Sequence, residues 1–195
     1  MTGASLLVGL PDALRPQAAR LYWQAFGPKL GRVLGPEPRA LAYLARVMRA
    51  QQAISAIGPD GRLLGLAGFR TAQGGFASGQ AADLSAIYGP LGGLWRSALL
   101  TRLSDEPDEA RFLLDGICVA PSARGQGLGS ALIETICDEA RQRGFAAVRL
   151  DVIEANTRAI ALYERLGFQV TARHSIGALR LAFRFNAALT MVRDL

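Results

Sequence analysis

The sequence predicts a single mixed α/β (α+β) domain, and three observations carry that prediction. Half of the 195 residues are hydrophobic and 19% are charged, a balance that can fill a core and is unlike the apolar-poor make-up of disordered chains. The first half shows two segments of helical periodicity followed by a hairpin pattern. From residue 111 onward, strand-like and helix-like segments follow one another as β-α-β-α-β-β. The length fits one ordinary domain of about 100–200 residues.

Residues 12–26 form the first predicted helix. Ala13, Leu14, Ala18, Leu21, Tyr22, Ala25 and Phe26 recur at helical spacing, with Asp12 as candidate N-cap. Gly27 to Pro38 is punctuated by glycine and proline and is predicted as loop. A second helix follows over 38–51, with Leu41, Leu44, Ala45 and Met48 on one face. Residues 53–58 and 62–71 are predicted strands joined by the Gly58-Pro59-Asp60-Gly61 turn. Residues 72–82, rich in Gly, Ala, Ser and Gln, are expected to be loop. A helix is expected over 91–103, and the acidic stretch 105–109 is a break. Then come a strand (111–119), a helix (127–143), a strand (146–153), a short helix (157–166), a strand starting at 168–171 and a last strand over 187–193.

Charge and composition narrow the function. Lys and Arg number 22 and Asp and Glu 16, a formal charge of +6. Apart from Lys29 every positive residue is an arginine, and they are spread from Arg15 to Arg193 with no run of five. A nucleic-acid-binding arm clusters its charge, so nucleic acid is not the expected partner. Scattered solvated charge is the first reading, and attraction to a small polyanion such as a phosphorylated cofactor is the second. Residues 1–10 lack the basic start of an export signal. No stretch reaches the roughly 18 uninterrupted apolar residues of a spanning helix. With only Cys118 and Cys137 available, the expectation is a reduced, cytoplasmic protein with no disulfide framework and no membrane partner.

The chemistry lies in Ile117 to Gly129, ICVAPSARGQGLG: a strand, a turn at Pro121, then Arg124-Gly125-Gln126-Gly127-Leu128-Gly129 opening a helix. A helix start leaves about four N–H groups without internal partners and carries roughly half a positive charge. Glycines there let backbone approach an anion closely, which makes a phosphate cradle, and Arg124 can add a charged clamp. No lysine follows the glycines as a P-loop requires, and their spacing at 125, 127 and 129 is not the GxGxxG of dinucleotide-binding folds.

The stretch resembles the acetyl-coenzyme-A cradle of the GCN5-related N-acetyltransferases, [Q/R]-x-x-G-x-[G/A], with Arg124, Gly127 and Gly129 in its three defined places. Val119-Ala120-Pro121 is similar to the turn that precedes it in that family. Asn156 to Phe168, NTRAIALYERLGF, resembles the family's N-x-x-A-x-x-x-Y-x-x-x-G-F element. The resemblance covers roughly residues 111–171. It implies a central, mostly antiparallel sheet flanked by helices, with strands splayed at the acyl-CoA site. It also implies a division of labour in which 1–110 shapes the acceptor site, 111–171 binds acetyl-CoA and 172–195 completes the sheet.

The resemblance also implies roles. Backbone N–H groups from Arg124 through Gly125, Gln126, Gly127, Leu128 and Gly129 to Ser130 would bind the pyrophosphate. The strand edge near Cys118 and Val119 would pair with the pantetheine amides as an added strand, and Asn156 would hydrogen-bond the same arm. Tyr163 would be the general acid for the leaving thiolate, a role typically contributing about 10²–10⁴-fold; its spacing with Ala159, Ile160 and Leu166 fits a plain core position as well. Asp115 and Glu154 are the candidate bases. Period 2 puts Asp115 on the face of Ile117 and Val119; Glu154 equally fits a solvated loop, and water-mediated proton loss is the third option.

The implied activity is acetyl transfer from acetyl-CoA to a primary amine on a small molecule, a peptide N-terminus or a protein lysine, by direct attack. The alternative is a CoA-binding sensor without turnover. A homodimer through the C-terminal strands is compatible with the resemblance. One histidine, His174, and two cysteines are too few for a zinc site, so no metal is expected; His174 is expected at the surface and the thiols buried. Trp23 and Trp95 fit core or pocket-wall positions, and segments 27–38 and 72–95 are the candidates for acceptor recognition.

Overall fold

The structure, a computed structural model, describes residues 3–71, 74–103, 110–177 and 180–195. Its elements are β1 (Ser5–Val8), α1 (Arg15–Leu34), α2 (Glu37–Val47), β2 (Ala53–Ile57), β3 (Leu63–Thr71), β4 (Gly74–Gly75), α3 (Ala81–Tyr88), α4 (Pro90–Leu103), β5 (Phe112–Val119), α5 (Leu128–Gln142), β6 (Ala147–Ile153), α6 (Thr157–Arg165), β7 (Gln169–Ser175), α7 (Arg180–Phe183) and β8 (Ala187–Asp194). One sheet runs β1-β2-β3-β5-β6-β8-β7, with β4 added to β3. Every pairing is antiparallel except β5 with β6. The expected mixed class and mostly antiparallel sheet are both present.

The sheet separates two apolar layers. On one face Leu14, Ala18, Val33 and Leu34 of the α1 region pack with Tyr43 and Leu44 of α2, Leu84 of α3 and Phe183 of α7. On the other, Leu132, Ile133 and Ile136 of α5 pack with Phe69, Phe112, Val148, Leu150, Tyr163 and Phe168. The α5 stripe follows from Leu128, Leu132, Ile136 and Ala140 recurring on one helical face. No described helix is long and apolar enough to cross a membrane.

Four local expectations are corrected. The 27–38 segment is not a loop, because α1 continues to Leu34 with Pro28 inside it. An interior proline costs about 3 kcal/mol. Beyond it, however, Leu30, Val33 and Leu34 are buried at 9%, 1% and 2% exposure, and each such burial is worth about 1.5–3 kcal/mol. Gly27 fits inside the helix because a Cβ there would come within 3.2 Å of the Trp23 indole. The second helix stops at Val47 rather than 51, followed by a 3-10 turn over Ala50–Gln52. The expected loop over 72–82 gives way at Ala81 to α3, whose start is tied by the Gln80 N–H donating to the Asp83 carboxylate at 3.0 Å. β1, β4 and α7 have no counterpart in the expected element order. β1 is an edge strand with exposed Leu6, Leu7 and Val8. The expected break at 105–109 lies outside the described residues.

β5 carries a bulge at its middle. Gly68 of β3 pairs with Gly116 and Phe69 with Leu114, so Asp115 is the extra residue. A bulge bends its strand and shifts the alternation of faces. Ile117 and Val119 therefore pack toward α5, while Asp115 turns to the α1 side. The expectation that Asp115 shares their face is overturned by this one residue.

The α5 face is the best test of the core. Leu132 has 0% exposure, so Leu132→Ala should destabilise the protein by about 2–5 kcal/mol. Urea unfolding should show this as a lowered midpoint at unchanged slope; a loss under about 1 kcal/mol would contradict this packing.

Candidate active site

β5 and β6 stay paired over three rungs, Phe112 with Val148, Leu113 with Arg149 and Leu114 with Leu150, and then part. β5 continues beside β3 as far as Val119, while β6 continues beside β8 as far as Ile153. The Asp115 bulge sits at the first unpaired position and bends β5 away from its neighbour. The next residue on each strand is an aspartate, Asp115 and Asp151. Both line a cavity of about 320 Å³ that opens at this point, with Tyr22, Lys29, Arg70 and His174 also in its wall.

Each aspartate has a guanidinium partner. Arg70 of β3 lies 3.5 Å from Asp115. Arg149 lies 3.1 Å from Asp151, two residues away on the same face of β6, and the Thr190 hydroxyl donates to the other Asp151 oxygen. Burial, and then the charge of Asp115, push the Tyr22 phenol far above the ordinary tyrosine range. The neutral hydroxyl is therefore the form that faces Asp115.

Parting leaves one edge of β5 without a strand. Ala120 N–H donates to Leu64 of β3 at 2.8 Å, and alternation then turns the backbone of Cys118 to β3 and that of Ile117 and Val119 to the open edge. The expected edge near Cys118 and Val119 is thus formed by Ile117 and Val119. Cys118 instead points its thiol into the α1-side core, where burial raises its pKa to about 12. Cys118 and Cys137 are both buried and free.

The open edge leads to the start of α5. Gly125 and Gly127 have φ of +76° and +79°, a region L side chains rarely adopt, and nothing lies within 4 Å of a Cβ built on either. The first bond closing the helix is Ala131 N–H to the Gly127 carbonyl at 3.0 Å. The N–H groups of Leu128, Gly129 and Ser130 precede it and have no intrahelical acceptor. Gly129 has only ordinary contacts at its Cβ position, 3.5 Å to Leu162 and 4.0 Å to Val119, so packing within the chain does not require glycine there. Arg124 Nε donates to the Val119 carbonyl at 3.1 Å and Gln126 Nε2 to the Ser122 carbonyl at 2.9 Å; both tie down the exposed turn.

Asn156, Tyr163 and Glu154 are not in the cavity wall. Asn156 caps α6, accepting from Ala159 N–H at 3.3 Å. Tyr163 is buried on the α5 side, its ring 5.9 Å from that of Phe168, and burial alone pushes its phenol up to about 12. Glu154 faces away, in a two-pronged ion pair with Arg173 at 2.7 and 2.8 Å that holds its carboxyl below the usual range. His174 is exposed on β7. Lys29, Leu30 and Leu34 from the 27–38 segment and Ala77, Ser78, Gly79 and Leu84 from 72–95 line the cavity. Trp23 packs against the α1-side core, and Trp95 is 43% exposed. Sequence reasoning missed Asp151. Its signal is the Arg149-x-Asp151 alternation on a strand, which gains meaning only where that strand parts from its neighbour.

The acetyltransferase (GNAT) family model matches residues 17–168. The ribosomal protein bS18-alanine N-acetyltransferase of Escherichia coli is 51% identical over 61 residues, 31% of this chain and 40% of that protein; the similarity spans less than half of the relative's length. The structure of a GCN5-related N-acetyltransferase from Kribbella flavida superposes with a TM-score of 0.65 at 21% identity, covering 98% of each chain. That of the ribosomal-protein-alanine N-acetyltransferase from Brucella melitensis does so with a TM-score of 0.64 at 17% identity, covering 98% of this chain and 99% of the other. Both share the fold across nearly the whole chain.

The raised phenol has a pH signature. Tyr163 moves from an ordinary 10.0 to about 12 in the folded protein, so between these values the folded state binds the extra proton. Its contribution is fully present below pH 10 and is lost as pH rises toward 12. Tyr163→Phe should therefore lose less stability than wild type between pH 10 and 12, by about 2–3 kcal/mol, in urea midpoints taken across that range. Parallel decline of the two proteins would contradict a buried phenol.

Proposed function

The chain belongs to the acetyltransferase (GNAT) family, and from that premise we propose that it moves an acetyl group from acetyl-CoA to a primary amine by direct attack. The observation that carries the reading is the parting of β5 and β6 after Leu114 and Leu150, with a helix start at one end of the open edge and two carboxylates at the other. The residues fit acetyl-CoA. At the open edge the Ile117 backbone and the Val119 N–H offer partners to the pantetheine amides, the Val119 carbonyl accepting from Arg124, and the Asn156 NH₂ group lies at the end of the next strand. The free N–H groups at Leu128, Gly129 and Ser130, behind Gly125 and Gly127, suit a pyrophosphate. Gly129 is then explained by close approach of the ligand.

The proton steps follow from the acceptor. Holding a free lysine neutral at pH 7 costs about 4.6 kcal/mol, against about 1 kcal/mol for an α-amine. Asp115 and Asp151 are the carboxylates that reach the gap, and in this reading they hold the incoming ammonium and take its proton directly or through water. Glu154 is set aside as base because it does not line the cavity and both of its carboxylate oxygens are engaged by Arg173. The amine nitrogen attacks the thioester carbonyl carbon, the C–S bond breaks, and the sulfur leaves with the electron pair. Tyr163, still protonated at neutral pH, donates a hydrogen bond and then its proton to that sulfur, recovering the proton from solvent. The nitrogen, positively charged after attack, sheds its second proton to solvent, and the balance is one amide, one thiol and one proton released. A cytoplasmic, reduced setting fits the two free buried thiols.

Removing the phenol tests this. Tyr163→Phe should lower turnover about 10²-fold or more, read as free-thiol release with an amine panel, while acetyl-CoA affinity by calorimetry stays within about twofold. Unchanged turnover would remove Tyr163 from the chemistry; a folded wild-type protein that binds acetyl-CoA and acetylates no amine would favour a sensor without turnover.

A further inference from the structure

We propose that the acceptor is a small primary amine on a compact apolar body, alkyl or aryl, rather than a polyamine or a peptide chain; this rests on the acetyl-transfer reading above. Away from the two aspartates, five leucines from four different helices line the cavity, Leu30 and Leu34 of α1, Leu44 of α2, Leu84 of α3 and Leu100 of α4, with the hydroxyls of Tyr43, Ser78, Ser97 and Thr101 between them. The first four are 9%, 2%, 1% and 2% exposed. They belong to the α1-side core, so the wall cannot turn outward to admit a polar chain without opening that core. At about 320 Å³ the cavity is at the small end of ligand sites, roughly 300–1,000 Å³, and it includes the β5–β6 gap that the acyl end would enter.

Charge points the same way. Asp115 and Asp151 each face a guanidinium, so the lining is balanced rather than acidic. The reacting amine is neutral, and balanced walls suit it. A polyamine would carry further positive charge toward Arg70 and Lys29. A peptide would bring more backbone amides than the few hydroxyls of Tyr43, Ser78, Ser97 and Thr101 can pair, and those laid against the leucines would lose their hydrogen bonds to water. An alkyl or aryl body meets none of these penalties and gains affinity with each buried methylene, by about three- to fourfold.

The test is a series of n-alkylamines from propyl to heptyl, whose basicity is nearly constant, alongside phenethylamine, spermidine and a peptide with a free N-terminus. Thiol release with acetyl-CoA gives kcat/KM for each. We expect a rise of about three- to fourfold per methylene until the cavity is filled, with spermidine and the peptide at least tenfold below hexylamine. Leu100→Asn should lower kcat/KM for hexylamine about tenfold while acetyl-CoA affinity holds. Ser97→Leu, on the same helix and in the same wall, should move the optimum to a shorter amine, which a merely unfolded variant could not do. A flat series, or spermidine or the peptide outrunning every alkyl and aryl amine, would overturn the inference while leaving acetyl transfer intact. No acetyl-CoA binding by the folded protein would overturn the reading beneath it, and the inference with it.

Discussion

Two neighbouring parallel strands that share only three rungs set the terms for the rest of this protein. β5 is held by β3 and β6 by β8, and beyond Leu114 and Leu150 those partners draw the two strands apart. The extra residue at Asp115 bends β5 at the first unpaired position. Unpaired strand edges leave backbone groups in need of partners. Here the edge is short, borders a cavity, and ends where α5 begins. An open strand edge, the start of α5 and a cavity with carboxylates thus adjoin one departure from regular pairing.

The two faces of the sheet divide the work. On the α5 side, tight apolar packing anchors the helix whose first turn carries the glycines, so the cradle stands on a rigid element. On the α1 side, four helices supply leucines to a cavity that hydroxyls also line, and each carboxylate that reaches it is paired with a guanidinium. Burial raises the phenols of Tyr22 and Tyr163 on opposite faces of the sheet, so both hydroxyls are protonated at neutral pH. The proposed acetyl transfer joins the two faces through the opening between β5 and β6.

Much of the second half is legible in the sequence because its signals are local. The stripe of Leu128, Leu132 and Ile136, the strand runs at 111–119 and 146–153, and the glycines ahead of α5 all report on neighbours close in the chain. What escapes local reading depends on distant partners. The continuation of α1 through Pro28 is decided by burial of Leu30, Val33 and Leu34 against other helices. The facing of Asp115 is decided by a bulge defined only by pairing with β3. Asp151 gains its place from β5 having turned away, and Glu154 is paired with Arg173, 19 residues on. The leucines lining the cavity come from four separate helices that no contiguous motif could announce.

Amide hydrogen exchange with and without coenzyme A reads the open edge and the cradle residue by residue. Coenzyme A should slow exchange at Ile117 and Val119, and at the amides from Gly125 to Ser130, while Cys118, already turned to β3, changes little. Binding that leaves Ile117, Val119 and the α5 start unchanged, with protection elsewhere, would contradict a ligand seated where β5 and β6 part.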